Sequence, residues 1–327
     1  MARDLAAMTA ALRRYLDGGD RITGIRTLSA GHSNETYMIE GLDRVLRTPP
    51  SEEGLLPPYD MARQHAILRA VHGQDDALPI PRVHELCTDE TVIGAPFFLM
   101  ETLDGEAFEF TLPDWLARDP QDMADALCRQ WFAALTALHR MPVAHMVSGG
   151  RSVGEEATYW HGVAVAAEAS PRLIEILDNL ARNPPRISGP PTAVHGDPKH
   201  GNCLWNRQGR LVGLLDWEMA QVSEPLLDLG YILMFHDQGE AGLANAGFDL
   251  PGWWSPARMV AEWEQATGRT AVDVARYAIL GQAKVTAIIE VGYQLFRSGR
   301  TTDKRFESWG NVLPGFTRLL SERADAA

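Results

Sequence analysis

The chain has 327 residues, with 30 Lys and Arg against 43 Asp and Glu, a formal net charge of −13. Hydrophobic residues make up 45% and charged residues 22%, which excludes intrinsic disorder and collagen-like repeats, and the length suggests two lobes or domains. The acidic balance argues against neutralising phosphate backbones or anionic membranes, so neither nucleic acid nor a membrane is an expected partner. A few local cations can still hold a small anion.

Cys87, Cys128 and Cys203 are odd in number and far apart, without a CxxC pair. They read as reduced thiols of a cytoplasmic protein, not as a disulfide framework or a zinc cage. Residues 1–17 lack the unbroken apolar run of a signal peptide and read as an amphipathic surface helix. The most apolar later stretch, 226–235, contains Asp228 and is too short to span a bilayer.

After the first helix, 21–28 and 35–39 read as short strands joined through residues 29–34, and a third strand, 44–47, runs up to Pro49-Pro50. A helix follows over 60–71 with Asp60 as its N-cap. Two more strands are expected at 83–87 and 96–102. From Leu103 the pattern turns helical: 122–140 carries Leu127, Trp131, Leu135 and Leu138 at helical spacing. Another helical stretch, 158–182, is interrupted near Pro171. A β-rich island spans 193–217, and the remainder is helical, including 271–297 and 303–322.

The island holds the most chemistry: Val194-His-Gly-Asp-Pro-Lys-His-Gly-Asn-Cys-Leu-Trp-Asn206, a turn, then Leu211-Val-Gly-Leu-Leu-Asp-Trp-Glu218. Two apolar runs around Arg207-Gln-Gly-Arg210 are a hairpin signal. If the turn centres on Gly209, Asn202 faces Asp216 at the open end, with Asp197 on the loop entering that end. Two carboxylates, an amide oxygen and the neighbouring Lys199 make a hard-oxygen site suited to Mg²⁺ and to phosphoryl transfer. The plain alternative is a loop whose Asp and Asn side chains only satisfy turn backbone.

These motifs resemble the aminoglycoside phosphotransferase-like, choline-kinase-type family of small-molecule kinases. His195-Gly-Asp197 with Asn202 looks like its catalytic loop, and Leu215-Asp-Trp-Glu218 like its metal-binding segment. Ala30-Gly-His-Ser-Asn34 resembles the phosphate-covering loop and Val45-Leu-Arg47 the strand with the nucleotide-contacting basic residue. Ala95-Pro-Phe-Phe-Leu-Met-Glu101 resembles the strand entering the hinge, and Glu224-Pro-Leu-Leu-Asp-Leu-Gly230 the segment behind the catalytic loop. The Leu-Arg…Pro-Pro and Leu-Pro-Pro phrases are closest to the subgroup also found fused to acyl-CoA dehydrogenases.

The resemblance implies an α+β, protein-kinase-like bilobal fold. Residues 1–103 would form a small antiparallel sheet lobe with one internal helix, 1–20 being an added helix, and 104–327 a larger helical lobe. Asp197 would be the catalytic base and Lys199 a γ-phosphate contact. Asn202 and Asp216 would hold Mg²⁺. Gly31, Ser33, Asn34 and Arg47 would meet the phosphates of ATP, with GTP as the alternative nucleotide, and backbone groups of Glu101 and Leu103 would pair with the base. The helix at 60–71 would normally offer a glutamate to Arg47. Here Gln64 stands in its place, on the face of Ile67, Leu68 and Val71, able to accept a hydrogen bond but lending no charge. Pro198 stiffens the loop after the base.

The implied activity is ATP-dependent transfer to a hydroxyl of a small molecule: an aminoglycoside, a hydroxyacyl thioester or another metabolite. An aminoglycoside would call on Glu155, Glu156, Glu168, Asp237 and Glu240, and a hydroxyacyl thioester on an apolar groove with a basic rim. The competing readings are a nucleotide-binding pseudokinase or scaffold, motivated by Gln64, and a metal-dependent phosphoesterase, which would want a second His-rich cluster. His195 is expected to brace the catalytic loop, Asp228 to cap backbone amides below it, and Trp253, Trp254 and Trp263 to serve packing.

Overall fold

A computed structural model describes residues 3–30, 33–109, 111–117, 120–143, 146, 149–236 and 250–327. The first part of the chain forms α1 (Leu5–Tyr15), β1 (Gly24–Ala30), β2 (Glu35–Glu40), β3 (Arg44–Thr48), α2 (Met61–Val71), β4 (Val83–Cys87) and β5 (Phe97–Glu101). The strands make one antiparallel sheet in the order β1-β2-β3-β5-β4. Its two faces follow the alternation of the sequence. Ile39, Leu46, Phe97 and Leu99 pack with Met8, Leu12 and Leu16 from and just after α1. Val45, Phe98 and Met100 point the other way, toward Ile67, Leu68 and Val71 of α2. Each such side chain, once buried, contributes roughly 1.5–3 kcal/mol, enough to hold α1 on the sheet. Asp60 caps α2 by accepting the Arg63 N–H at 2.8 Å, as expected.

The rest is mainly helical: α3 (Asp114–Ala117), α4 (Pro120–Arg140), α5 (Val153–Ala166) and α6 (Pro171–Arg182) precede the β island, and α7 (Leu226–Leu233), α8 (Pro256–Thr267), α9 (Val274–Arg297) and α10 (Lys304–Asp325) follow it. The apolar stripe of α4, Leu127, Trp131, Leu135 and Leu138, is wholly buried. The stretch expected from 158 begins earlier, because Ser152 and Glu155 form a capping box that starts α5, and Ser170 with Pro171 starts α6. One continuous core runs from the α2 face of the sheet through α4 to α9.

The island contains β6 (Thr192–Val194), β7 (Cys203–Trp205), β8 (Leu211–Leu214) and β9 (Gln221–Ser223), paired β6 with β9 and β7 with β8. The hairpin register differs by one from the sequence expectation. Cys203 pairs with Leu214 and Leu204 with Gly213, and the Leu215 N–H donates to the Asn202 carbonyl at 2.8 Å. Leu215, not Asp216, therefore stands opposite Asn202. The cause is the turn, which closes from Asn206 to Arg210 around a left-handed Gly209, with an irregularity between Leu204 and Trp205. Asp216 comes next in left-handed conformation, φ 68° and ψ 60°, and turns the chain out of the strand. Among the described residues no helix is long and apolar enough to cross a membrane, and the three cysteines are free and buried.

Candidate active site

The loop between β6 and β7 carries Asp197, and side chains from distant elements fix its backbone. Asp228, buried in α7, accepts the N–H groups of His195 (2.7 Å) and Gly196 (2.8 Å). Its Oδ2 also receives His139 Nε2 at 3.1 Å, while Trp263 Nε1 donates to His139 Nδ1 at 2.9 Å. Burial opposes ionisation of Asp228, but His139, His195 and the donated amides hold its pKa below the usual carboxylate value. Lys284 of α9 donates to the Gly196 carbonyl, and Trp131 of α4 donates to the Pro198 carbonyl at 2.9 Å. Gly196 must be glycine: its φ is +85°, and a Cβ there would lie 2.6 Å from the Met219 carbonyl oxygen.

His195 braces the loop, as expected. Its Nδ1 accepts the Asp197 N–H at 3.2 Å and its Nε2 donates to the Leu215 carbonyl at 2.9 Å. Burial lowers its pKa against the pull of Asp228 and Asp197, which suits a neutral ring.

Asp197 is partly buried, with its Oδ1 inaccessible to solvent. Asn202 Nδ2 donates to its backbone carbonyl (2.8 Å) and to Oδ2 (3.0 Å), whereas Oδ1 accepts no hydrogen bond. Burial pushes its pKa up, but Lys199, the nearby Tyr231 phenol and Lys284 outweigh that and hold it below the ordinary value. Lys199 pairs with Glu109 at 3.2 Å. Desolvation would lower its pKa, yet Asp197 and Glu109 hold it above the usual lysine range.

Across the cleft, Arg47 in β3 donates through Nε to Gln64 Oε1 at 2.9 Å and through Nη2 to Asp216 Oδ1 at 2.5 Å, with Glu218 Oε2 at 3.6 Å. Ser33 donates to Glu218 at 2.7 Å, and Asn34 Nδ2 donates to the same carboxylate. Burial and the neighbouring Asp216 push the Glu218 pKa up to about 7, with Arg47 opposing.

Ser33, Asn34, Arg47, Asp197, Lys199 and Asp216 all line one cavity of about 830 Å³, whose far wall is apolar, from α9 and α10, with Arg305 beside it. Gln64 stands just behind this group, through its bond to Arg47. Glu101 and Leu103 are not among the lining residues. The Glu101 N–H already donates to the Arg82 carbonyl at 2.8 Å, so only its carbonyl is left for a nucleotide base. Gly31 lies outside the described residues.

A hard cation fits the donor set. Asp197, Asp216 and Glu218 line the cavity and supply acidic oxygens, the Asp197 Oδ1 without a hydrogen-bond partner; Asn202, its Nδ2 committed to Asp197, is not among the lining residues. Among the described residues no three His, Cys, Asp or Glu side chains form a cation cage by themselves.

Glu109, Glu218, Tyr231 and Lys284 are parts of this arrangement that sequence reasoning did not assign. Lys284 had a readable signal: a lone cation within the apolar run Ile279-Leu-Gly-Gln-Ala-Lys-Val-Thr-Ala-Ile-Ile289.

Residues 24–264 match the model of the phosphotransferase enzyme family APH; the chain belongs to this family. It is 30% identical over 229 residues to "Probable acyl-CoA dehydrogenase IBR3" of Arabidopsis thaliana, which covers 63% of this chain and 27% of the relative. It is 29% identical over 238 residues to mouse "Acyl-CoA dehydrogenase family member 10", covering 68% and 22%. The chain thus spans about a quarter of the length of these curated relatives. Among solved structures, a provisionally assigned aminoglycoside phosphotransferase of Ralstonia eutropha superposes with a TM-score of 0.75 at 21% identity, over 100% of this chain and 99% of the other. An aminoglycoside phosphotransferase solved with GDP and kanamycin gives 0.62 at 19% identity, over 98% of each chain. The fold is the α+β, two-lobed kinase-like one expected from the motifs.

Proposed function

We propose that this chain transfers the γ-phosphoryl group of ATP to a hydroxyl of a small molecule with an apolar body, residues 1–103 binding nucleotide and 104–327 the acceptor. The observation that carries this reading is Asp197, whose inaccessible Oδ1 accepts no hydrogen bond and whose pKa is held below the ordinary value by Lys199, in a cavity lined by Arg47 and Lys199 and by apolar residues of α9 and α10. Asp197 Oδ1 orients the acceptor O–H toward the γ-phosphorus and takes its proton as the oxygen–phosphorus bond forms and the bond to the ADP oxygen breaks. Lys199 and Arg47 offset charge on the transferred group and the remaining phosphates. Asn202 and Asp216 would hold Mg²⁺, which when bound supplies further neutralisation of the phosphate oxygens.

The hydroxyacyl thioester is the better-supported acceptor class. Glu155 is spent capping α5, Glu156 is buried against Arg151, and Glu168 is exposed beyond α5. None of the three lines the cleft, and Asp237 and Glu240 lie outside the described residues. The apolar wall with Arg305 beside it matches the groove that a hydroxyacyl chain requires. The test is transfer from γ-³²P-labelled ATP to hydroxyacyl thioesters and to kanamycin in parallel. The expected result is labelling of a thioester only, and ATP consumption that no acceptor increases would overturn the kinase reading.

A further inference from the structure

A second cavity of about 420 Å³ lies behind the first, between α2, the turn at 149–151, α5 and α9; Leu56, Glu218 and Met219 line both. Three cations border it, Arg63, Arg151 and Lys284. The carboxylates nearby are largely committed. Glu156 receives Arg151 Nε (2.6 Å) and Gln221 Nε2 (2.9 Å) on Oε2, and Trp160 Nε1 (2.7 Å) on Oε1. Glu218 takes its hydrogen bonds from Ser33 and Asn34 of the first cavity, and Asp60 on the exposed start of α2 caps the Arg63 N–H.

Arg63 and Lys284 spend their donors on neutral backbone carbonyls. Arg63 reaches Ala220 at 2.5 Å and Glu218 at 3.4 Å, and Lys284 reaches Gly196. Burial depresses the pKa of both; Asp60 opposes it for Arg63, and Glu156, Asp197 and Asp228 oppose it for Lys284, with Arg151 adding a smaller repulsion to each. Two guanidiniums and an ammonium thus share the pocket with three carboxylates, Asp60, Glu156 and Glu218, but those carboxylates accept from other groups, and Arg63 and Lys284 are left with backbone carbonyls where an added anion would give them a charged partner. Tyr159 and Trp160 give the same pocket an apolar wall.

We propose that this second cavity binds an oxyanion, a carboxylate or phosphate group held by Arg63, Arg151 and Lys284. Its source is either the far end of an acceptor whose hydroxyl lies at Asp197, which rests on the kinase reading, or a free ion. Lys284 joins the two cavities, since it borders the anion pocket and holds the peptide next to Asp197.

The experiment is calorimetric titration of the whole chain with its nucleotide site saturated by Mg·ADP. The probes are 12-hydroxydodecanoate, dodecane-1,12-diol and inorganic phosphate, added to the parent, to Arg151→Gln and to Lys284→Met. Binding of at least one anionic probe is expected, weakened at least about ten-fold by Arg151→Gln, the loss of one charge-assisted contact, with ADP affinity kept. Arg151 is half-exposed, so this variant answers even if Lys284→Met does not fold. A preference for the hydroxy acid over the diol, erased by Arg151→Gln, assigns the anion to the acceptor; phosphate binding without that preference assigns it to a free ion. If neither anion binds, or both bind Arg151→Gln as they bind the parent, there is no oxyanion site. Turnover is not read, so failure of the kinase reading alone leaves these results intact.

Discussion

From His195 to Pro198, backbone groups are held by side chains of α4, α7 and α9: Trp131, Asp228 and Lys284. Around Arg47 the construction is different, because few charges meet there, each arriving from a separate place. Arg47 comes from β3, Gln64 from α2, Asp216 and Glu218 from the segment after β8, and Ser33 and Asn34 from the turn before β2. The first region is a buried lattice in which removing one group leaves others unsatisfied. The second has room for partners to exchange as a nucleotide enters. Asp197 is placed by architecture, and Arg47 with its partners by charge, so on the proposed reading substitutions in the two regions should fail in different ways.

Asp197→Asn gives the largest contrast. The asparagine keeps the shape of the pinned loop and loses only the proton acceptor, a contribution of roughly 10²–10⁴-fold. Single-turnover rates with a true acceptor should fall at least about a hundred-fold while Mg·ATP binds nearly as in the parent. Near-parent turnover would remove the proposed mechanism. Asp216→Asn should behave in the opposite sense. It takes a charge from Arg47 and from the proposed Mg²⁺ position, so nucleotide affinity and Mg²⁺ dependence should both suffer. Equal loss of nucleotide binding in the two variants would erase the distinction between the regions.

A smaller effect concerns the lattice. His200 is buried among Phe108, Trp131 and Trp253, and burial, with Lys199 adding repulsion, lowers its pKa to about 3. The unfolded chain takes up that proton near the ordinary 6.5, before the folded chain does, so stability falls as pH drops below about 6.5. The loss at pH 5 is on the order of 2 kcal/mol. His200→Leu removes this titration, and its melting temperature should fall less between pH 7 and pH 5 than that of the parent. An equal fall in both proteins would place the acid sensitivity elsewhere.

Much of this was legible in the sequence because the signals are local. Asp60 capping α2, the alternating strands and the stripe on α4 all follow from short-range pattern. The hairpin register was not, since the turn from Asn206 to Arg210 moved the pairs at Cys203 and Leu204 by one, and an irregularity at Leu204/Trp205 moved Trp205 by one more. Lys284 and Glu109 escaped for another reason. Their partners, Gly196 and Lys199, lie 88 and 90 positions away in the chain (284 − 196 and 199 − 109), and only tertiary packing brings them together.

The last and smallest effect, Gln64→Glu, asks how far charge alone organises the nucleotide side. Gln64 is buried and accepts from Arg47 Nε at 2.9 Å, so a glutamate would occupy the same place and turn a neutral acceptor into an ionic one. Charge-assisted bonds are about twice as strong as neutral ones. Against this, Arg47 already contacts Asp216 at 2.5 Å and lies 3.6 Å from Glu218, and burial and Asp216 already push the Glu218 pKa up to about 7. A further carboxylate behind Arg47 adds repulsion to that group, and the two tendencies largely cancel. Activity should therefore be unchanged or modestly raised, read as kcat/KM for ATP at fixed acceptor. A loss of about ten-fold or more, a barrier change of about 1.4 kcal/mol, would mean that the neutral amide is required and that Arg47 is balanced against Asp216 and Glu218 more tightly than its contacts suggest.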